Sequence, residues 1–168
     1  MVLQGPPVER YPVSIITPRF QIIGDLEVVG MAFSFVNDAA RNSLPLYDAH
    51  LIPLTPGSPL KSSTRSHIVV RRPEIVFLYF SSADVRASVR TLRRKESLVA
   101  YTSVAVCQGC FHMPDEASLN DFLDDVTATF LPITEAKVFP LVKLPAPFPN
   151  EADLLLVGHS YLEFYHPA

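Results

Sequence analysis

One eleven-residue phrase occurs twice in this chain, and it constrains the fold more than any other feature. LPLYDAHLIPL at 44–54 returns as LPITEAKVFPL at 131–141. Five positions are identical: Leu44/Leu131, Pro45/Pro132, Ala49/Ala136, Pro53/Pro140 and Leu54/Leu141. Carried forward at the same offset of 87 residues, HIVVRRPEIVFLYF (67–80) falls on LLLVGHSYLEFYHP (154–167). Both stretches read as strand, short turn, strand. Carried backward with a shift of two, VSIITPRFQIIGDLEV (13–28) lies on LVAYTSVAVCQGCFHM (98–113), so that Thr17 meets Thr102 and Gly24 meets Gly109. Apolar residues recur there at period two, the mark of a half-buried strand, and an interior Gly marks a bend or bulge. A repeated phrase inside a repeated pattern predicts two copies of one unit.

The remaining segments fit that plan. TPGSPLKSST (55–64) and VKLPAPFPN (142–150) occupy the same slot and read as Pro-rich extended loops. Before the second copy of the phrase, SLNDFLDDVTA (118–128) has Leu119, Phe122, Leu123 and Val126 on one helical face, with Ser118 as its cap and Asp121 at N3. Before the first copy, MAFSFVNDAARN (31–42) is read as a short helix by analogy. SSADVRASVRTLRR (81–94) aligns Val85, Val89 and Leu92 and predicts a short linking helix. The expected architecture is all-β with minor helix: a first β repeat over 11–80, a linker over 81–95 and a second β repeat over 96–167. A unit of ~70 residues buries a marginal core alone. The two are therefore expected to pack as tandem small β-barrel-like units related by pseudo-two-fold symmetry. The 16 prolines among 168 residues support short strands and turns over long helices.

Thr102 to Gly109, MPDEASLNDFL (113–123), PITEAKV (132–138) and LLLVGHSYLEF (154–164) succeed one another in the second half. Read together, they resemble a bacterial family of domains of unknown function, with a T-x6-G strand, a P-x4-L-x-D-F-L helix, a P-[IVL]-T-[DE]-A-x-V strand and a closing L-L-V hairpin. The first half keeps Thr17 to Gly24, PLYDAHL (45–51) and HIVV (67–70) but lacks the D-F-L helix. The resemblance implies two tandem copies, the second clear and the first degraded, and it implies no activity and no catalytic residue. The layout is also similar to Sm-like small barrels.

Charge is unevenly distributed. Residues 61–95 hold nine Lys/Arg against two acids, or +7, which leaves −10 on the remainder of a chain of net charge −3. The basic middle either pairs with the acidic flanks or forms an anion-binding patch. Arg71 and Arg72 stand in the predicted hairpin turn after HIVV, with Arg65 and Lys61 in the loop before it. Paired Arg at a loop tip suits phosphate, and in Sm-like barrels the corresponding turn often carries Arg and contacts RNA. Arg65, Arg71 and Arg72 are thus the candidate anion or nucleic-acid site.

Other constellations carry less. Cys107 and Cys110 are spaced C-x-x-C, with His112 nearby, but structural zinc needs four ligands and no second pair exists. In a strand, residues three apart point to opposite faces, so the two sulfurs diverge. Asp121, Asp124 and Asp125 read as the solvated side of the helix. The five histidines have no metalloprotease spacing, and there is no nucleophile elbow, P-loop or G-x-G-x-x-G. No metal, cofactor or catalytic residue is expected. Two cysteines, no signal pattern in MVLQGPPVERYPV and no apolar run of the ~18 residues that span a bilayer point to a cytoplasmic protein without membrane insertion. The closing segment YLEFYHPA (161–168), aromatic and weakly charged, suits strand addition to a neighbour. The expected role is structural or adaptor, through self-association or a protein partner, with nucleic-acid or anion binding as the alternative.

Overall fold

The computed structural model describes residues 5–168; residues 1–4, the start of the N-terminal stretch read above for a signal pattern, lie outside the described residues. Strands β1 (Val8–Ile16) and β2 (Phe20–Val29) form an antiparallel hairpin. Helix α1 (Ala32–Val36) follows, then β3 (Ser43–Pro53), β4 (Ser63–Arg71) and β5 (Phe77–Phe80). After helix α2 (Ala83–Ser88) come β6 (Arg94–Tyr101), β7 (Ala105–Met113), helix α3 (Phe122–Asp125), β8 (Phe130–Pro140), β9 (Glu151–Gly158) and β10 (Phe164–Pro167). A 3-10 turn separates β4 from β5 (Arg72–Glu74) and another separates β9 from β10 (His159–Tyr161).

All ten strands belong to one sheet, in the order β10-β6-β7-β8-β9-β5-β1-β2-β3-β4. The sheet is open, with β10 and β4 at its edges, so the strands do not close into the two small barrels expected. Nor do β4 and β5 pair with each other, as a hairpin requires: three strands lie between them, and three lie between β9 and β10 in the other five-strand block. Each 3-10 turn sends the chain across its block to the opposite side. The blocks meet where β5 pairs with β9, Phe77 opposite Val157 and Leu78 opposite Leu156.

The local geometry of the two blocks corresponds in detail. Thr17 Oγ1 accepts from Phe20 N at 3.0 Å, and Thr102 Oγ1 accepts from Ala105 N at 3.1 Å, each closing the turn into the second strand of its block. The β2–β3 register shifts between Ile23 and Asp25, and the β7–β8 register between Gln108 and Cys110. The extra residue lies on β3 and on β8, where Asp48 (φ 49°) and Glu135 (φ 53°) take the left-handed conformation, and the strand bends there. A glycine faces each bulge because the backbones come close: a Cβ on Gly24 would lie 3.0 Å from Tyr47 O, and one on Gly109 2.9 Å from Thr134 O. Ala49 and Ala136 follow the bulges and are both buried.

Two apolar cores result, and they exchange side chains. Phe77 and Val76 pack with β6–β9 residues such as Phe111, Ile133 and Val157. Leu154, Leu156 and Phe130 pack in turn with Ile15, Leu26, Leu46 and Leu78. Strands β5 and β9 are therefore covered on both faces, which is why FLYF and LLLV are continuous apolar runs instead of alternating ones. Two amide side chains stitch the blocks further. Gln21, fully buried, exchanges two 3.0 Å hydrogen bonds with the Ala146 backbone, and Asn37 Oδ1 accepts from Phe130 N at 2.8 Å. Phe148 of the Pro-rich loop packs against Phe77 and Tyr79.

The helices are shorter than their sequences predict. Only Phe122–Asp125 of the expected 118–128 helix is helical. Asp124 and Asp125 place negative charge at its C-terminal end, against the helix dipole, and β-branched Val126 and Thr127 favour extended backbone. Ser118 still caps locally, accepting from Asp121 N at 3.2 Å. Phe122 anchors the turn, edge-on to both Phe111 and Tyr165. In the linker, Ser82 caps α2 and Val85 is buried, whereas Leu92 lies exposed beyond the helix.

Candidate interaction edges

β4 closes one end of the sheet. Among the described residues it pairs with β3 on one side only, and its other row of backbone groups faces outward. The period of two places Arg65, His67, Val69 and Arg71 on its exposed face, while Val70 turns inward to the core. Arg65 donates to Thr64 O at 2.9 Å, and the His67 ring lies tilted against Tyr47 with centroids 4.7 Å apart. Arg10 covers that same tyrosine ring and pairs with Glu27 at 3.2 Å. Lys61, Arg65 and His67 line a shallow hollow of about 470 Å³ with Phe20, Leu51, Leu60 and Ile68.

The three arginines singled out in the sequence do not converge. Arg65 lies within β4 and not in the preceding loop, and six residues of strand, roughly 20 Å, separate it from Arg71. Arg72 is 7% exposed and points inward, donating from Nη1 to the carbonyls of Val36 (3.2 Å) and Asp38. It holds the C-terminal end of α1 against the turn after β4 and is corrected here from an anion ligand to a structural residue. Charge compensation between the blocks is carried by Arg86 instead: it pairs with Asp153 at 2.6 Å, donates to Phe80 O and Ser81 O at 2.8 Å, and lies over Tyr79. Among the described residues Arg65 and Arg71 form no ion pair.

β10 closes the other end. Among the described residues it pairs with β6 alone. Phe164 is 56% exposed and stacks on Tyr101 with ring centroids 4.3 Å apart. Tyr165 turns inward, edge-on to Phe122, with its hydroxyl donating to Leu119 O. Burial and the nearby Asp124 and Asp121 carboxylates push the Tyr165 hydroxyl pKa up. The exposed Phe164 and Val69 are the edge residues that matter most here, and sequence reading reached only the first of them, through its segment. The signal for Val69 was the offset of 87, which matches it with buried Leu156.

The cysteines and histidines of the sequence analysis have separate surroundings. Cys107 is buried in β7, and burial pushes its thiol pKa up to about 12. Cys110 lies 3.2 Å from Glu135, and burial with that carboxylate raises its pKa too. His112 uses both ring nitrogens, one at 2.8 Å from Leu92 O and one at 2.8 Å from Thr134 Oγ1. It lines a mostly apolar hollow of about 430 Å³ with Phe33, Val126 and Phe130, and Arg90 and Asp125 stand at the same hollow. Among the described residues no three His, Cys, Asp or Glu side chains stand close enough to hold a metal, and no helix is long and apolar enough to cross a membrane. No family model, curated protein or solved structure matches the chain.

Proposed function

We propose that the chain consists of two tandem copies of one five-stranded unit and works without catalysis, as a structural or adaptor protein that joins protein partners through its open sheet edges. The observation that carries this reading is the pair of unpaired edges. Each bears a large exposed apolar side chain, Val69 on β4 and Phe164 on β10, beside backbone groups with no strand to bond. An open edge of this kind accepts an extended segment through main-chain hydrogen bonds, and the side-chain pockets beside it select the partner. The tandem reading draws support from the matched element order, the twin Thr turns and the twin bulges. The likeness to the bacterial family of domains of unknown function is proposed on the same grounds, since PITEAKV forms the bulged strand β8 as PLYDAHL forms β3. Two unpaired thiols suit a reducing, cytoplasmic setting.

The test is site-specific photocrosslinking in cells of the source organism, with the photoreactive residue at Val69 or Phe164 and a control at exposed Leu141. The expected result is an adduct of fixed mass from the edge positions and none from the control. No adduct from either edge overturns the proposal.

One observation favours a second reading, anion binding: Arg65, His67 and Arg71 share the outward face of β4. On this reading the protein is retained on heparin at low salt, and Arg65→Ala/Arg71→Ala elutes earlier with a shallower salt dependence. Elution of the wild-type protein in the flow-through removes the reading.

A further inference from the structure

The seam inside the chain is a template for a seam between chains. β5 pairs with β9. At the offset of 87 residues, β10 corresponds to β5 and β4 to β9. The two open edges are thus the counterparts of the two strands that already join. A closed two-fold arrangement would need β10 to pair with β4 within the chain, yet they are the opposite ends of the sheet. The relation between the blocks is head-to-tail, and a head-to-tail contact with free ends can repeat. Resting on the edge-binding reading above, we infer that the partner is a second copy of this chain, with β10 of one copy adding to β4 of the next.

The register follows from the internal seam. Phe77 opposite Val157 and Leu78 opposite Leu156 become Phe164 opposite Val70, and Tyr165 opposite Val69, of the next copy. The exposures agree with this. Phe77 and Leu156, which the internal seam covers, are 0% and 1% exposed; their counterparts Phe164 and Val69 are 56% and 59% exposed. Phe77 packs into the core of the block that owns β9, and Phe164 would cover the same place beside Val70. Tyr165 already packs on the β6–β9 core, and Val69 would cover it from the next copy. Charge agrees as well. The internal hydrogen bond from Gly158 N to Val76 O measures 2.8 Å; its counterpart joins Arg71 to Glu163, which brings opposite charges together where the internal seam has none.

One difference weakens the outer seam. Gly158 has no room for a Cβ, because the Ile75 carbonyl oxygen would fall inside contact distance of it. Its counterpart Arg71 does carry a Cβ, so the outer seam stands open at that end and rests on Val69 and Val70. The joint between copies is therefore looser than the joint within one, and Arg71 sets its strength.

Sedimentation velocity and light scattering on the purified full chain test this. The expected wild-type mass is a concentration-dependent multiple of 18.6 kDa. Val69→Asp and Phe164→Asp, both at exposed positions, hold the chain at monomer mass with unchanged circular dichroism. Arg71→Gly lowers the midpoint concentration of association by about tenfold or more, the effect of ~1.4 kcal/mol. Wild type and Arg71→Gly both remaining monomeric up to millimolar concentration overturns the inference, as does association that Val69→Asp leaves intact. The photocrosslinking result then separates the two levels. Edge adducts to a different protein, with a monomeric purified chain, sink self-assembly and keep the edge-binding reading; no edge adduct sinks both.

Discussion

Gly158→Ala is expected to destabilise the protein by about 3 kcal/mol, the upper end for forced overpacking. That corresponds to a fall in Tm of about 10 °C for a chain of this size. The added methyl would meet the Ile75 backbone carbonyl, which has no side-chain freedom with which to yield. To make room, β9 must move away from the chain segment entering β5, and the 2.8 Å bond from Gly158 N to Val76 O is lost with it. Both cores feel the movement, since Phe77 belongs to one and Leu78 to the other. Gly109→Ala should cost less, because one of its contacts is the Ile133 Cγ2 methyl at 2.5 Å, which shifts more easily than backbone, although Thr134 O at 2.9 Å remains. Gly24→Ala, with its nearest atoms at 3.0 and 3.1 Å, should cost least. Thermal denaturation of the three variants checks the order. A Gly158→Ala protein as stable as the wild type would mean that the β5–β9 seam is not closed in solution.

That seam was partly legible beforehand. The runs IVFLYF and LLLV lack the alternation of a one-faced strand, and continuous apolar runs belong to strands covered on both sides. The repeat counterpart of the first, LEFYHP, carries charge and proline, and that of the second, HIVV, runs directly into Arg71, as edge strands do. The difference between matched segments thus told interior from edge. What the sequence did not carry was strand partnership. A turn such as Arg72–Glu74 announces a change of direction, but where β5 lands depends on which neighbour buries Phe77, and that neighbour is Val157, eighty residues away in sequence. The apolar stripe of 118–128 supports a helix only over Phe122–Asp125, because the carboxylates at its C-terminal end oppose the helix dipole. Gln21 and Asn37 gave no signal at all, since an amide that clamps a distant backbone looks like any polar residue in a strand or a turn.

Arg71 and Arg72 are adjacent, and their replacement is expected to give opposite results. Arg72→Ala should cost about 3 kcal/mol, because it removes the side-chain donor from the Val36 carbonyl, leaves Asp38 O with Arg41 N alone, and opens a cavity under α1. Arg71→Ala should fall within about 0.5 kcal/mol of the wild type, as exposed substitutions do. Arg72→Lys should recover only part of the loss, since the shorter lysine must carry its ammonium to the place of Nη1, the one nitrogen that serves both carbonyls. Strand parity explains the contrast: Ile68 and Val70 turn inward and Val69 and Arg71 outward, so the next residue is directed inward again. Urea denaturation of the three variants separates stability from binding. An Arg72→Ala protein that keeps its full stability would return Arg72 to the surface, and with it the paired-arginine anion site that its burial now excludes.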